Sequence, residues 1–497
     1  MPELPAQPVQ LTLPAGAVRG EQRGAVERFT GIPYAAPPVG AHRFEPPRPV
    51  RPWTGVRDCT APGPNAPQRG RGLPGLDVAP LIGSGWTPGG DYLTLDLLRP
   101  AHGASGLPVM VWIHGGGFLV GSKNASVQDG ATFARDGVVY VAINYRLGVD
   151  GFLPVPGVPT NLGLRDMIAA LGWVRDHIAL FGGDPDNVTV FGESAGAMAI
   201  ADLVSSPLAA GLFRRAVIQS GHGAMTREIP VAQRLVRKLA KLLRVAPDRA
   251  GFASVAPGDA LDAVEKISLP TTRLNLRGSD GREPVFGISR FVPVHGDDVL
   301  PDRPLEALKK GAGSQVDVLI GTNAEEMNLY LVPTGVREKV GRALAWLVLR
   351  RSQPNAWAVL KAYGLGRDRP GRVLARALND LVFRWPARRF AEEHQGRTWM
   401  YEFDWRSPRY GGELGAAHGV ELPFVFDSLA SCTGPEGLLG EDPPQELATR
   451  VHRIWVEFAR DGTLPWPEFT RESRHVHQLG QDRTVDEPVM PAARFLP

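Results

Sequence analysis

Val188-Thr189-Val190-Phe191-Gly192-Glu193-Ser194-Ala195-Gly196 reads as a buried strand that runs into a sharp turn, and residues 195–204 continue it as a helix-compatible segment. It holds the only G-x-S-x-G of the chain. A glycine on either side of the serine lets strand and helix approach closely around a strained backbone, so the hydroxyl projects above the sheet at a helix N-terminus. Free N–H groups and the helix dipole stabilise negative charge developing there. The pentapeptide alone is no more than a glycine-rich turn; a strand before it and a helix after it make Ser194 a candidate nucleophile.

Outward from this turn the same alternation repeats. Residues 109–113, 138–143, 188–191, 216–219, 316–320 and 399–403 are short apolar runs rich in β-branched and aromatic residues, and they read as buried strands. Leu164, Met167, Ile168, Leu171, Val174 and Ile178 recur at helical spacing, and Gly182-Gly183 supplies a stop. Strands alternating with helices predict a large, mostly parallel sheet covered on both faces. Before Pro108 the runs 9–13 and 26–29, followed by dense Pro and Gly, predict a small antiparallel edge. The length of 497 residues admits two or three average domains or one large α/β unit with insertions. With neither an internal repeat nor a long linker, residues 1–497 are expected to form a single domain.

Composition excludes several classes. A net charge of +3, from 55 Lys plus Arg against 52 Asp plus Glu, is mild and interleaved, so no nucleic-acid-binding stripe is expected. The two cysteines, Cys59 and Cys432, lie far apart with no clustered ligands, which excludes a disulfide framework and a metal centre. No leader pattern opens the chain and no run of about 18 apolar residues crosses it, so a cytoplasmic protein without a membrane span is expected. The 58 Gly and 46 Pro are spread through the chain and signify loops rather than disorder.

A second glycine motif, His114-Gly115-Gly116-Gly117-Phe118, directly follows the run 109–113. Consecutive glycines after a buried strand carry a backbone-entropy cost that makes sense if N–H groups must point into open space. Acyl transfer has that requirement, because a tetrahedral intermediate develops an oxyanion that convergent donors must meet. His114 itself reads as a residue that orders the loop.

With these residues in view the chain resembles the type-B carboxylesterase family of the α/β-hydrolase superfamily, which includes bacterial para-nitrobenzyl-type esterases, liver carboxylesterases and cholinesterases. The resemblance runs over nearly the whole length. Gly31-Ile32-Pro33-Tyr34-Ala35, Asn144-Tyr145-Arg146-Leu147-Gly148, Asn161-Leu162-Gly163-Leu164-Arg165-Asp166 and Phe181-Gly182-Gly183-Asp184-Pro185 are similar to its signatures, as are Gly211-Leu212-Phe213 and the C-terminal Trp466-Pro467. It implies an α/β-hydrolase fold with helical cap insertions at roughly 225–287 and 331–370, the expected pocket walls. Two departures stand out. Tyr92 replaces a cysteine that eukaryotic relatives pair with one near position 59, and His295-Gly296 stands where Asp-Gly is usual.

A serine is unreactive at neutral pH until a histidine takes its proton, and the histidine needs a carboxylate to fix its tautomer. In this superfamily the order is nucleophile, acid, histidine. Downstream of an acid the candidates are His394, His418, His452, His475 and His477. His418 lies in a glycine-flanked loop after the run 399–403, whereas His452 falls in a helical segment and His475 with His477 alternates as a surface strand. The resemblance agrees, since Ala417-His418-Gly419 with Glu421-Leu422-Pro423-Phe424 is similar to the family's histidine motif. It also implies Glu326 as the acid, in Glu325-Glu326-Met327 where the family carries Asp-Glu-Gly, with Glu325 as the alternative register. Carried over as oxyanion donors are the backbone N–H groups of Gly116, Gly117 and Ala195. The resemblance also implies that Glu193 borders the acyl or cationic site and that Ser220 lies near the triad.

These residues imply a serine carboxylesterase that acts on small, uncharged esters of short to medium acyl chain, without cofactor, as a monomer or small homo-oligomer. The same machinery would serve polyester, carbamate or amide bonds. A non-catalytic, adhesion-type homologue would be expected to lack the serine or the histidine, and both are present. Activity is expected to fall as pH drops through roughly 6 to 7. The apolar run 343–349 is expected to be a buried helix, with an acyl-pocket wall or a lipid contact as alternatives.

Overall fold

The protein was analysed as a computed structural model that describes residues 6–269, 271–283, 289–487 and 489–496. At its N-terminal edge β1 (Gln7–Leu13), β2 (Gly16–Arg23) and β3 (Val26–Pro33) form an antiparallel meander. The two expected edge strands are β1 and β3. They do not pair with each other, because the polar β2, which periodicity did not reveal, lies between them. A short β4 (Val56–Asp58) adds to β2.

From β5 (Thr94–Pro100) the chain enters the body of the sheet through β6 (Leu107–Ile113), β7 (Val139–Ile143), β8 (Gly183–Glu193) and β9 (Arg215–Gln219). β10 (Arg227–Glu228) and β11 (Val294–His295) make a separate two-stranded ribbon. β12 (Asp317–Asn323), β13 (Thr398–Phe403), β14 (His475–Gln478) and β15 (Arg483–Asp486) complete the main sheet. The order is β1-β2-β3-β5-β7-β6-β8-β9-β12-β13-β14-β15, with β7 through β14 mutually parallel. This is the mostly parallel, helix-flanked sheet expected of an α/β-hydrolase.

Alternation along each central strand explains why both faces are covered. Val109, Val111 and Ile113 of β6, with Val188 and Val190 of β8, enter one core cluster. Met110, Trp112 and Phe191 enter the cluster on the opposite face. Each such side chain contributes roughly 1.5–3 kcal/mol by leaving water, so a polar substitution on either face of these strands opposes the fold. The helix Leu162–His177 packs Leu164, Met167, Leu171 and Val174 inward and gives way to a short 3-10 turn that ends at Gly182, whose φ of 82° is the left-handed stop.

The run 343–349 lies in the helix Arg342–Leu349 and is buried along one side only. Ala345 and Leu349 face the core, whereas Leu344 and Leu347 are 46% and 48% exposed. It therefore corrects the expectation of a buried helix.

One ion pair locks the loop after β7 to the helix Leu162–His177. Arg146 donates through Nη2 to Asp166 Oδ1 at 2.6 Å and through Nε to Oδ2 at 2.8 Å, both out of solvent, and through Nη1 to the half-buried Glu45 carbonyl at 2.6 Å. Loss of one partner strands a buried charge, at a cost of about 3–5 kcal/mol. Asp166→Ala is therefore expected to lower the urea midpoint of unfolding substantially, and a midpoint matching the unaltered protein would show that the pair is dispensable.

Candidate active site

Ser194, Ser220, Glu326 and His418 each follow the C-terminal end of a parallel strand, so the sheet itself gathers them. Ile113 of β6 is in register with Gly192 of β8, and Gln219 of β9 with Glu193 of β8 and Gly321 of β12. Ser194 comes one residue after β8, Ser220 one residue after β9, Glu326 in the turn after β12, and His418 in the loops after β13.

Ser194 is the residue before the helix Ala195–Ser205 and has φ 54° and ψ −122°, a strained conformation for a residue with a side chain. Its N–H donates to the Gln219 carbonyl at 2.9 Å and its carbonyl accepts from Met198 at 2.8 Å, which fixes the turn from both sides. The flanking glycines are required by contact. A Cβ on Gly196 would lie 2.0 Å from the Ile113 carbonyl oxygen, and one on Gly192 would lie 2.5 Å from the same atom. The hydroxyl oxygen has no hydrogen-bond partner among the described residues and faces a cavity.

His418 is buried beside it, between two carboxylates. Nδ1 lies 2.6 Å from Glu326 Oε2, and Nε2 lies 2.9 Å from Glu193 Oε1. The second contact is close but poorly aligned for a hydrogen bond, since Glu193 Oε1 finds no partner by geometry. Glu326 is fully buried and its other oxygen accepts from Ser220 Oγ at 2.6 Å and from the Asn323 N–H at 2.7 Å. These two donors orient the carboxylate toward the imidazole. Glu325, the alternative register, turns away to an ion pair with Arg406 and accepts from the Ala416 N–H at 3.0 Å.

The N–H groups of Gly116, Gly117 and Ala195 find no acceptor among the described residues. Gly116 has φ 107° and its absent Cβ would fall 2.1 Å from the Val120 carbonyl oxygen, so only glycine holds this loop. His114 orders the loop as expected: its Nδ1 contacts the Gly115 carbonyl at 2.9 Å and its ring stacks on Tyr145, while burial lowers its pKa to about 4. The other candidate histidines lie elsewhere. His394 contacts Thr398, His452 the Val425 carbonyl, and His475 and His477 sit on β14. His295 contacts Thr226 Oγ1 at 3.0 Å and does not line this cavity.

Several participants escaped the sequence reading. Glu421, three residues past His418, is buried, accepts from Asn323 Nδ2 at 2.6 Å, and is pushed up to about pKa 8 by burial and by the charges of Glu193 and Glu326. It is largely neutral at pH 7, which spares the site a third charge. Its position beside the histidine was readable, but its burial was not. The rings of Phe383 and Tyr330 stand 4.9 and 5.6 Å from the imidazole. The cavity, about 320 Å³, is walled by Leu73, Val78, Leu81, Ile82, Leu329 and Leu422. The 225–287 and 331–370 stretches contribute none of its described lining, and residues 270 and 284–287 of the first lie outside the described residues. The wall comes instead from the 71–82 loop and from the turn just before the second insertion.

A serine in a strained turn between parallel strand and helix is the hallmark of the α/β-hydrolase fold. Comparison with known proteins makes the assignment specific. The carboxylesterase family profile matches residues 7–492, and the chain belongs to that family. It is 34% identical to the para-nitrobenzyl esterase of Bacillus subtilis over 96% of both chains, and 34% identical to the phenmedipham hydrolase of Pseudarthrobacter oxydans over 94% of both. Among solved structures, a PNB esterase superposes with a TM-score of 0.84 at 31% identity, covering 98% of this chain and 99% of that one. A Geobacillus stearothermophilus carboxylesterase superposes at 0.81 with 34% identity, covering 96% and 98%. The protein is a carboxylic ester hydrolase. No helix among the described residues is long and apolar enough to cross a membrane.

The glycine contacts yield a direct test. Gly196→Ala is expected to abolish folded, soluble protein or to leave an inactive product with a displaced turn, because the carbonyl of Ile113 belongs to a central strand and cannot retreat. Circular dichroism and thermal melting would check it, and an active variant of unaltered melting temperature would refute the contact argument.

Proposed function

We propose that Ser194, His418 and Glu326 form the catalytic triad through which the protein hydrolyses carboxylic esters by way of an acyl-enzyme. The observation that carries this reading is the convergence, on one cavity, of an unpartnered serine hydroxyl, an imidazole anchored at Nδ1 by a buried carboxylate, and the Gly116 and Gly117 N–H groups without acceptors, the acceptor-free Ala195 N–H following directly after the serine.

Ser194 Oγ attacks the ester carbonyl carbon as its proton passes to His418 Nε2, and the carbonyl oxygen becomes an oxyanion facing the N–H groups of Gly116, Gly117 and Ala195. Collapse breaks the bond to the alcohol oxygen, which leaves with the proton from Nε2. Water then donates a proton to Nε2 as its oxygen attacks the acyl carbon, and a second collapse releases the acid and returns the proton to Ser194. Glu326 holds the Nδ1–H tautomer throughout. The volume and apolar walls of the cavity favour short to medium acyl chains around an uncharged ester group. Residues 1–497 act in this reading as one α/β-hydrolase domain with cap insertions at 225–287 and 331–370, without cofactor or nucleic-acid partner, as a monomer or small homo-oligomer. Two buried, unpaired cysteines suit the reducing cytoplasm.

Ser194→Ala is expected to reduce hydrolysis of 4-nitrophenyl butyrate by at least a thousandfold with an unchanged melting curve. Retention of more than a few per cent of the activity would overturn the assignment.

The pH profile follows from the neighbours of His418. Burial alone would depress the imidazole, but Glu193, Tyr330 and Glu326 outweigh it and hold the pKa well above the ordinary histidine value. A base must be neutral to accept a proton, so raising its pKa moves the acid limb of kcat/KM upward. The loss of activity is therefore expected to begin above the window of roughly 6 to 7 given by an unperturbed histidine. Glu193→Gln should shift that limb to lower pH, and an unmoved limb would remove Glu193 from the account.

A further inference from the structure

We propose that Arg71 selects esters bearing a carboxylate or equivalent monoanion at the end remote from the scissile bond, an inference that rests on the hydrolase reading above and narrows its substrate class. The charged or chargeable side chains that line the cavity are Arg71, Glu193, Tyr330 and His418. Glu193 is answered by His418 at 2.9 Å. Tyr330 is half-buried, and its phenol is driven further toward the neutral form by desolvation. Arg71 is answered by nothing: among the described residues it has no ion pair, no hydrogen bond and no ring contact.

The surroundings sharpen the point. Arg69, two residues earlier, takes Asp262 at 2.5 Å from the helix Pro257–Ser268. Tyr330 and then Glu265, the latter one turn further along that helix, influence Arg71 electrostatically, but neither forms a hydrogen bond or ion pair with it. The local acids therefore tie down one arginine and leave the next free, on the wall that carries Leu73, Val78, Leu81 and Ile82. Arg71 remains open to solvent, yet the wall crowds its guanidinium enough to lower its pKa by desolvation. A cation that has lost part of its hydration and has gained no partner is poised for an anion, and the planar guanidinium matches a carboxylate in two parallel hydrogen bonds.

The consequence for specificity is two-sided. A neutral ester fills the apolar cavity without using Arg71, an ester with a carboxylate tail gains a charge-assisted contact, and a quaternary ammonium tail meets repulsion. This modifies the expectation of an entirely uncharged substrate. The reacting group is neutral, while the far end carries the charge.

Two matched pairs of esters test the proposal, since the tail could extend along either side of the scissile bond. On the acyl side, 4-nitrophenyl hexanoate is compared with the mono-4-nitrophenyl ester of adipic acid. On the alcohol side, phenyl hexanoate is compared with 4-hexanoyloxybenzoate. Arg71→Gln is expected to lower kcat/KM for the acid-bearing member of at least one pair by roughly tenfold or more, the scale of a charged hydrogen bond. The neutral members should stay within about twofold, and Arg71→Lys should recover part of the loss. Hydrolysis of 4-nitrophenyl 6-(trimethylammonio)hexanoate should rise in Arg71→Gln. Equal effects on neutral and acid-bearing esters in both pairs, or no effect on either, would overturn the proposal and leave Arg71 as a solvent-facing charge of the wall. Absence of wild-type turnover on both neutral esters would count against the hydrolase reading itself, so the two failures are distinguishable.

Discussion

The carbonyl of Ile113, at the end of β6, sits within 2.5 Å of where side chains on both Gly192 and Gly196 would begin. Strand β6 and the turn after β8 are thus pressed together until no side chain fits between them, and much of the site follows from that contact. The pressed turn forces Ser194 to φ 54°, which aims its side chain away from the sheet. It leaves the Ala195 N–H without an acceptor among the described residues, as the loop after β6 leaves the N–H groups of Gly116 and Gly117. The strain, of order 1–3 kcal/mol for such a residue, persists because the Gln219 carbonyl and the helix beyond over-determine the turn.

Charge imposes the second constraint. Two buried carboxylates stand within 3 Å of one imidazole, and a third, Glu421, is close enough to feel both. Three ionised acids around a single cation would leave a net charge out of water, which costs several kcal/mol per uncompensated ion. Protonation of Glu421 removes one of them, and the donors Ser220 and Asn323 hold the Glu326 carboxylate in place against the imidazole. Asn323 contacts both acids, its backbone N–H bonded to Glu326 and its side-chain amide to Glu421. The amide hydrogen bond opposes the rise in the Glu421 pKa, so burial and the charges of Glu193 and Glu326, rather than Asn323, keep Glu421 protonated.

How much of this was legible depends on the range of the cause. The central strands and the helix Leu162–His177 were readable because periodicity is local, and the turn around Ser194 was readable because its glycines are adjacent in sequence. β2 was missed because its polar residues carry no burial signal, its pairing being fixed by the hairpins on either side. For the acid, adjacent Glu325 and Glu326 differ only in which way the turn after β12 points them, and residues some ninety positions away decide that: Arg406 and Ala416 hold one, His418 the other. The cavity walls were misplaced for a related reason. Insertion length marks where a chain departs from the sheet, but not which departure folds back over the strand ends, and here the 71–82 loop does so.

That loop also divides the labour of recognition. The end of the cavity nearest the sheet presents backbone N–H groups, which are fixed dipoles and suit a charge that exists only transiently on the reacting oxygen. Such donors must be preorganised, which is why they reside where strand packing leaves no freedom. A permanent charge on a substrate tail needs only a mobile counter-charge, and a long arginine side chain on a loop supplies it without disturbing the strand ends. Rigid backbone donors at the reacting centre and an adaptable cation at the rim are therefore answers to two different electrostatic demands. The fold keeps them apart by drawing the first from β6 and β8 and the second from a connection outside the sheet.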